Sequence, residues 1–310
     1  MPMLKRFTQP FTPERQALEL QPEHVEGFRR AQRLSYDCAV AVEQFLVEGI
    51  TELRVAELMR QYLADHGVRE YFHTPFVWFG ERTAFVDFKT DAAFAPSTRE
   101  LRAGDPVILD VAPVVDGHAA DIGYACGNNE IQAQMVDDLL EYRGLILEGV
   151  KARKTRSDIY RDCDQLIQKQ GYENRHQRYS NRVLGHRVMW TPPEHRSERE
   201  IFGFGVQAFG TLIMSGVLAR FQKGFDVPIW NDLTVCDAPP APGLWAIEPH
   251  VGLRGIGAKW EELLVVTEHD AYWIDDDVPH VHRALEHRRQ AAAGAAKARG
   301  ARAAAPEVRP

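Results

Sequence analysis

Apolar residues recur at every third or fourth position in four segments of the chain, two in each half. This spacing is typical of amphipathic helices, and Gly49 and Gly67 mark the ends of the first two. Strand-like runs follow each pair, so the order helix, helix, strands occurs twice. The predicted helices cover residues 23–48, 51–65, 130–152 and 156–170.

The repeated order predicts an α+β fold with two pseudo-symmetric halves. We expect a curved, mostly antiparallel sheet that carries the helices on its outer face. Residues 201–219 contain no charge and have about the length of a membrane span. Their glycines and polar side chains favour buried strands and turns over a helix exposed to lipid.

A β-hairpin is the clearest element in the pattern. Residues 107–115 and 118–125 are rich in Val, Ile and Ala, and Asp116-Gly117 lies between them. This dipeptide is a strong signal for a two-residue hairpin turn. Apolar residues lie on both faces of the hairpin, so we expect both faces to be covered.

Two aspartates lie on the same face of this hairpin. A two-residue turn pairs Val115 with His118, and counting back places Asp110 opposite Gly123. Asp110 and Asp121 then become diagonal neighbours, roughly 7–8 Å apart at the backbone. Carboxylates this close in apolar surroundings would take up a proton unless a divalent cation joins them. The alternative is that both aspartates are surface residues on a solvated edge.

Composition narrows the class of protein. The chain has 310 residues, is 45% hydrophobic and carries a net charge of −7, which fits one large domain or two small ones. The acidic balance argues against nucleic acid as a partner. The four cysteines are scattered without a CxxC pair, which argues against thiolate zinc sites and a disulfide framework and favours a reducing, cytoplasmic location. No signal peptide is predicted, because the first residues lack an apolar core.

The two ends of the chain differ from its centre. Residues 1–22 contain four prolines and predict an extended arm. Residues 283–310 are basic and rich in alanine, which predicts a frayed helix or a disordered tail, and we favour disorder.

Three further residues have the chemistry of metal ligands. His186 lies in a β-like context, Glu248 ends an apolar run, and Glu261 begins another. Each alone is a weak signal, because such residues are common elsewhere in folded proteins. Together with Asp110 and Asp121 they form an oxygen-rich set that suits a pair of divalent ions. Ions paired at about 3.5–4 Å activate water for hydrolysis.

These residues resemble the pita-bread metallopeptidases, the family of methionine aminopeptidase, aminopeptidase P, prolidase and creatinase. The similar segments are LDVAPVVDGHAADIGY, LGHRV, AIEPHVG and AKWEELLVVTE, in the family's order. The resemblance implies a pita-bread fold with one catalytic domain over residues 23–282. It also implies two divalent metal ions, of manganese, cobalt, iron or zinc. The implied ligands are Asp110, Asp121, His186, Glu248 and Glu261.

The chain departs from the family pattern at the positions that handle substrate. Aligning the glycine-rich turn at residues 79–86 puts Asp87 where the family has a substrate-binding histidine, and His73 lies on the other side of that turn. Arg187 replaces the glycine that usually follows the metal-binding histidine. An aromatic insertion of about residues 195–235 separates His186 from Glu248 by more than in compact members. We assign Glu248, His195 and Asp87 to catalysis and His73, Arg187 and His250 to substrate binding.

The sequence therefore predicts a dinuclear metal-dependent hydrolase that cleaves a peptide or a small-molecule amide. A hydroxide held between the metal ions would attack the carbonyl while Glu248 handles the proton. Two alternatives stay open: a creatinase-type hydrolase of a small metabolite, and a non-catalytic binding protein that has kept the fold. The presence of all five ligands favours an enzyme. We expect a homodimer with no membrane partner.

Substrate choice is expected to differ from that of a general methionine aminopeptidase. Asp87 would add negative charge where an oxyanion forms, and this raises the barrier unless the substrate brings a cationic group. The aromatic insertion is expected to cover the mouth of the site, and Arg187 could hold an anionic group. The alternative is a misaligned turn, with His73 or His195 in the usual role.

Overall fold

The computed structural model describes residues 13–86, 88, 90–219 and 227–303. The helices are α1 (Pro13–Glu19), α2 (Pro22–Glu43), α3 (Glu52–Asp65), α4 (Glu130–Lys151), α5 (Arg156–Gln170), α6 (Ala208–Ala219) and α7 (Pro279–Ala303). The strands of the first half are β1 (Glu70–Phe79), β2 (Pro106–Val115), β3 (His118–Ala119) and β4 (Ile122–Gly127). Those that follow are β5 (Glu173–Asn174), β6 (Gly185–Val188), β7 (Glu200–Ile201), β8 (Phe204–Gly205), β9 (Ile229–Trp230), β10 (Gly243–Ile247), β11 (His250–Leu253), β12 (Ile256–Lys259), β13 (Glu262–Val266) and β14 (Ala271–Trp273).

The four helices predicted from apolar spacing are all present. Thr51 caps α3, where its side chain accepts a hydrogen bond from the Arg54 N–H. Asn129 and Thr155 cap α4 and α5 in the same way. Each cap satisfies one of the backbone donors left free at a helix start, which explains why the helices begin at these positions.

The strands pair in an antiparallel manner throughout the described ladders. In the first sheet the order is β3-β2-β1-β8-β7, with β4 paired to β2. In the second sheet the order is β14-β13-β10-β6-β9, and β12-β11-β5 form a third, smaller sheet. Each half of the chain thus contributes a pair of helices and an antiparallel sheet, as the repeated order predicted.

Helices cover the sheets on their outer side. Residues of α2 and α3 such as Tyr36 and Met59 form one apolar cluster with Val77 of β1 and Leu109 of β2. Helices α4 and α5 join a second cluster, which contains Trp245 of β10. The apolar faces of these amphipathic helices are therefore buried against the sheets, which leaves the other side of the sheets for the site.

Three segments differ from the prediction. The extended arm was wrong for Pro13–Glu19, which is helical, and the first twelve residues lie outside the described part. Disorder was wrong for residues 283–303, which continue helix α7, and the last seven residues are not described. Alanine has the highest helix propensity, and Arg283 of α7 pairs with Glu43 of α2.

The uncharged segment 201–219 forms strand β8 and helix α6 instead of strands alone. Ala, Leu and Met are strong helix formers, and here they outweigh the glycines of the segment. In the part of the chain that the structure describes, no helix combines the length and the apolar character needed to cross a membrane.

Candidate metal centre

The hairpin has the register predicted from the sequence at two pairs. Val115 pairs with His118, and Asp110 lies opposite Gly123. The turn residues Asp116 and Gly117 have φ values of 49° and 84°, the positive angles that a two-residue turn of this kind requires. A fixed register keeps both aspartates on one face of the sheet.

His73 of strand β1 joins the two aspartates. Its Nε2 lies 3.1 Å from Oδ1 of Asp110 and 3.0 Å from Oδ1 of Asp121. Its Nδ1 donates to the Thr74 carbonyl oxygen at 2.8 Å, and its ring stacks on Phe76 with 4.7 Å between centroids. The hydrogen bond from Nδ1 fixes the ring so that Nε2 is directed at the two carboxylates.

A second group forms around His186 of strand β6. Its Nε2 lies 3.3 Å from Oδ2 of Asp121 and 3.7 Å from Oε1 of Glu261. Its Nδ1 donates to the Arg187 carbonyl oxygen, and its ring stacks on Phe72. Asp121 therefore contributes one oxygen to each group. In both groups one donor atom from each residue lies within 4.8 Å of the others.

A lysine that the sequence analysis missed links Glu248 to the other carboxylates of the site. Lys259, at the end of β12, donates from Nζ to Oδ2 of Asp110 at 2.5 Å, to Oε2 of Glu248 at 3.0 Å and to Oε2 of Glu261 at 2.8 Å. Its side chain passes over Gly123, where a Cβ would lie 2.4 Å from its Cε. A signal was available, because Lys259 and Glu261 are two positions apart on an extended segment and share a face.

The buried charged side chains shift one another's pKa values. Burial alone would lower the pKa of His186, but the nearby carboxylates of Asp121 and Glu261 raise that pKa to about 10. Burial, with the nearby carboxylate of Glu261, raises the pKa of Glu248 to about 8 against the opposing effect of Lys259. Burial opposes the charge of Lys259 as well, yet Asp110 and Glu261 hold its pKa well above the usual value.

The donor set fits divalent metal ions. Both histidines have Nδ1 tied to a backbone carbonyl, which leaves each Nε2 directed at the carboxylates. Oε1 of Glu261 is buried and has no hydrogen-bond partner. Lys259 occupies one oxygen each of three carboxylates, so Oδ1 of Asp110 and both oxygens of Asp121 face the histidines. Carboxylate and imidazole donors of this kind suit manganese, cobalt, iron or zinc.

The comparison with protein families agrees with this geometry. The model of metallopeptidase family M24 matches residues 26–268. The chain belongs to metallopeptidase family M24. The resemblance to pita-bread metallopeptidases that the sequence motifs indicated is thereby confirmed.

Individual M24 relatives are distant. YkvY of Bacillus subtilis, named as a dipeptidase, is 25% identical over 186 residues, which are 59% of this chain and 47% of the relative. A peptidase of Staphylococcus aureus strain RF122 is 24% identical over 66% of this chain and 55% of its own length. The chain thus spans about half the length of the curated relatives it matches.

Solved structures show the M24 fold. The X-Pro aminopeptidase from Thermotoga maritima aligns with a TM-score of 0.61 and 18% identity over 86% of this chain and 65% of that one. The Xaa-Pro dipeptidase from Bacillus anthracis aligns with a TM-score of 0.58 and 18% identity, over 84% of this chain and 63% of that one. These likenesses establish the fold.

The candidate metal cluster, defined as His73, Asp110, Asp121, His186, Glu248 and Glu261, lines a cavity whose other walls are mostly apolar. The cavity encloses about 890 Å³, part of it open to solvent. The aromatic insertion supplies part of the wall from β8 and α6; that it covers the mouth of the site stays a prediction. Prominent wall residues are Phe72, Phe76, Trp78, Phe204, Phe209 and Leu212.

Two of the predicted substrate-binding residues of this M24 chain lie away from the cavity. Arg187 is buried on the other face of β6, where it packs over the Trp245 ring and pairs with Glu19. His250 is buried and donates from Nε2 to the Thr83 carbonyl oxygen at 2.7 Å. Their positions are those of structural residues, so the predicted contacts with substrate find no support here.

The other three predicted site residues, His195, Asp87 and His73, differ in what the structure shows of their positions. His195 lines a smaller neighbouring cavity with Trp190 and Thr211, outside the metal cluster. Asp87 lies outside the described residues, so its predicted role stays a prediction. His73, which the sequence placed with the substrate, lies beside Asp110 and Asp121 in the cluster.

Proposed function

We propose that this chain is a metal-dependent hydrolase that cleaves the amide bond of a peptide or small amide. Asp110, Asp121, His186, Glu248 and Glu261 would hold two divalent ions. One observation carries the proposal. These five residues come from four separate segments of the chain, yet all of them line one cavity. Membership of a metallopeptidase family supports the same reaction class.

Bound divalent ions would supply Lewis acidity and an activated water. Glu248 would take the proton from the attacking water and return it to the leaving amine. Lys259 holds one oxygen of Glu248 and so fixes the direction of the other. His73 lines the same cavity, and we infer that its imidazole contacts the substrate amide and is not one of the metal ligands.

The substrate, the metal, the oligomeric state and the location of the protein are supported by fewer observations. Relatives named as a dipeptidase and an X-Pro aminopeptidase support a peptide-like substrate. Manganese as the metal, the homodimer and the cytoplasmic location stay predictions from the sequence.

The metal count tests the site directly. Protein stripped with a chelator and reloaded with manganese is expected to bind two ions per chain by elemental analysis. Asp121→Asn is expected to lower the count and to cost at least about 100-fold in hydrolysis, because loss of even an outer-shell partner commonly costs 10–100-fold. Hydrolysis is measured on Met-Ala-Ser, an Xaa-Pro peptide and a panel of small amides.

The control is His269→Ala, because His269 is exposed and pairs only with its neighbour Glu268 in the ion pairs of the described residues. It is expected to bind metal and to hydrolyse the substrates like the wild type. Zero bound ions, with no hydrolysis of any substrate, would contradict the proposal and favour a binding protein that has kept the fold.

A further inference from the structure

Glu261 lies at a junction between two sheets. Strand β12 ends at Lys259 in the smallest sheet, and strand β13 begins at Glu262 in the second sheet. In the described ladders, Glu261 lies between these strands and pairs in neither sheet. The register of a sheet therefore does not fix the direction of this carboxylate, and other contacts of the segment have to do so.

The residues on either side of Glu261 point away from the cavity. Trp260 and Glu262 are buried, and neither is among the described residues that line the cavity. The indole N–H of Trp260 donates to the Leu139 carbonyl oxygen of α4 at 3.0 Å, and Arg143 of α4 donates to Oε2 of Glu262 at 2.9 Å. Successive side chains of an extended segment point to opposite sides. A contact that holds Trp260 or Glu262 therefore also orients Glu261 between them.

His280 of helix α7 contacts both of these neighbours. Its Nε2 donates to Oε1 of Glu262 at 2.7 Å, and its ring stacks on Trp260 with 5.7 Å between centroids and 6° between the planes. The side chain is buried, so water does not compete for the hydrogen bond. These contacts use no ligand atom of the candidate metal cluster, so bound metal would leave them in place.

The backbone of Glu261 is held as well. Its N–H donates to the Gly123 carbonyl oxygen at 3.2 Å, and its carbonyl oxygen accepts from the Tyr36 hydroxyl at 2.7 Å. Nδ1 of His280 lies 3.5 Å from the oxygen of that same hydroxyl. His280 thus contacts three groups around Glu261, which are the side chains on either side and the hydroxyl bound to its carbonyl.

We propose that His280 is a positioning residue for the metal ligand Glu261. This inference rests on the proposed function, because it concerns the same metal site. The M24 family match ends at residue 268, before α7 begins at Pro279. Helix α7 therefore contributes to metal binding from outside the matched region, although it supplies none of the proposed ligands.

Metal affinity in variants of His280 tests the inference. His280→Phe removes the hydrogen bond to Glu262 and keeps an aromatic ring against Trp260. Manganese binding is measured by calorimetry at a temperature at which circular dichroism shows wild type and variant to be fully folded. The variant is expected to bind manganese at least about 10-fold more weakly, because loss of a partner behind a metal ligand commonly costs 10–100-fold. His280→Gln can donate to the same carboxylate and is expected to bind more tightly than His280→Phe.

The matched control is His282→Phe. His282 lies two positions further along α7, where its side chain is 63% exposed and pairs with Asp277. This variant is expected to bind manganese like the wild type. Should His280→Phe fail to fold, Tyr36→Phe removes the hydroxyl that lies between His280 and Glu261 and is expected to show the same loss of affinity.

The outcomes distinguish this inference from the proposed function. Unchanged manganese affinity in folded His280→Phe, even with a lower melting temperature, would overturn the inference and leave the proposed hydrolase intact. Equal losses in His280→Phe and His282→Phe would do the same. A wild-type protein that binds no manganese and hydrolyses no substrate would overturn the proposed function and the inference with it.

Discussion

Lys259 places a permanent positive charge among carboxylates that are expected to hold metal ions. In the absence of metal it is the cation that Asp110, Glu248 and Glu261 share. Removing one partner from a buried group of charges leaves the others uncompensated. The stability of the metal-free protein should therefore depend on this one side chain.

We expect Lys259→Met to destabilise the metal-free protein by roughly 3–5 kcal/mol. The metal-loaded protein should lose less, because the ions supply the missing positive charge. The measurement is thermal unfolding of both forms, and the gap between the two melting temperatures should widen. Lys259→Arg, which keeps the charge, is the control. Equal losses in the two forms would show that the lysine acts through packing alone.

At the scale of single residues, local patterns decided what the sequence could predict. Asp110 and Asp121 were paired correctly because the Asp116-Gly117 turn sets the hairpin register. Arg187 was misplaced even though the information was present. Successive side chains of a strand point to opposite faces, so a ligand at His186 sends its neighbour away from the cavity.

His73 illustrates what local patterns cannot show. Strand β1 shifts register between Tyr71 and His73 and again between His73 and Phe76. Such irregularities change which face a side chain occupies, and simple alternation along the strand cannot locate them. The meeting of His73 with the aspartates depended on these shifts and on the pairing of β1 with β2.

At the scale of elements, the aromatic insertion is anchored to the sheet beside the metal cluster. Strand β8 pairs with β1 at Phe204 and His73, and the Thr74 N–H donates to the Gly203 carbonyl oxygen at 2.7 Å. Gly205 is in close contact with β1, since a Cβ there would lie 1.7 Å from the carbonyl oxygen of Tyr71. The approach of the two strands therefore requires glycine at this position.

We expect Gly205→Val to separate β8 from β1, because a backbone oxygen cannot move aside as a side chain can. Hydrogen exchange of amides in residues 200–219 should become faster, and binding of apolar ligands in the cavity should weaken. The control is Gly144→Ala in α4, where a Cβ meets open space. It should be neutral or stabilise by about 0.5–1 kcal/mol. Unchanged exchange in Gly205→Val would show that β8 does not need this close approach.

Helix α6 shows the limit of periodicity for an uncharged segment. Its residues are nearly all apolar, so the sequence has no alternation of polar and apolar positions. Without that alternation, a short helix cannot be distinguished from buried strands. The cavity and the neighbouring strands supply the apolar surroundings that allow α6 to form, and those surroundings are distant in sequence.

At the scale of the whole molecule, buried histidines link stability to pH. His176 is fully buried, and its burial, together with the nearby charge of Arg182, lowers its pKa to about 3 from an ordinary 6.5. Between these two values the unfolded chain binds a proton that the folded chain does not. The free energy of unfolding must therefore fall as the pH is lowered through this window.

We expect His176 alone to contribute a fall of up to about 1.4 kcal/mol for each pH unit below 6.5. Urea unfolding at pH 6.5, 5.5 and 4.5 measures the slope, which should be shallower in His176→Gln. The same substitution at the exposed His269 should leave the slope as it is in the wild type. A slope identical in all three proteins would mean that His176 is protonated in the folded state.

The metal cluster is divided between the two halves of the fold. His73 and Asp110 lie in strands of the first sheet and Asp121 lies between its strands β3 and β4, whereas His186 and Glu261 come from segments of the second half. The order of the elements could be read from the sequence, but the closeness of the two halves could not. It depends on long-range packing, such as the Tyr36 hydroxyl of α2, which donates to the Glu261 carbonyl oxygen at 2.7 Å.

This division has a consequence for folding of the chain during its synthesis on the ribosome. Asp110 and Asp121 emerge long before Lys259 and Glu261, so the nascent chain cannot assemble the cluster until nearly all of it has been synthesised. Lys259 then brings a positive charge to Asp110, Glu248 and Glu261 as part of the polypeptide. The chain would therefore be able to complete its folding without metal, and loading with metal would be a separate, later step.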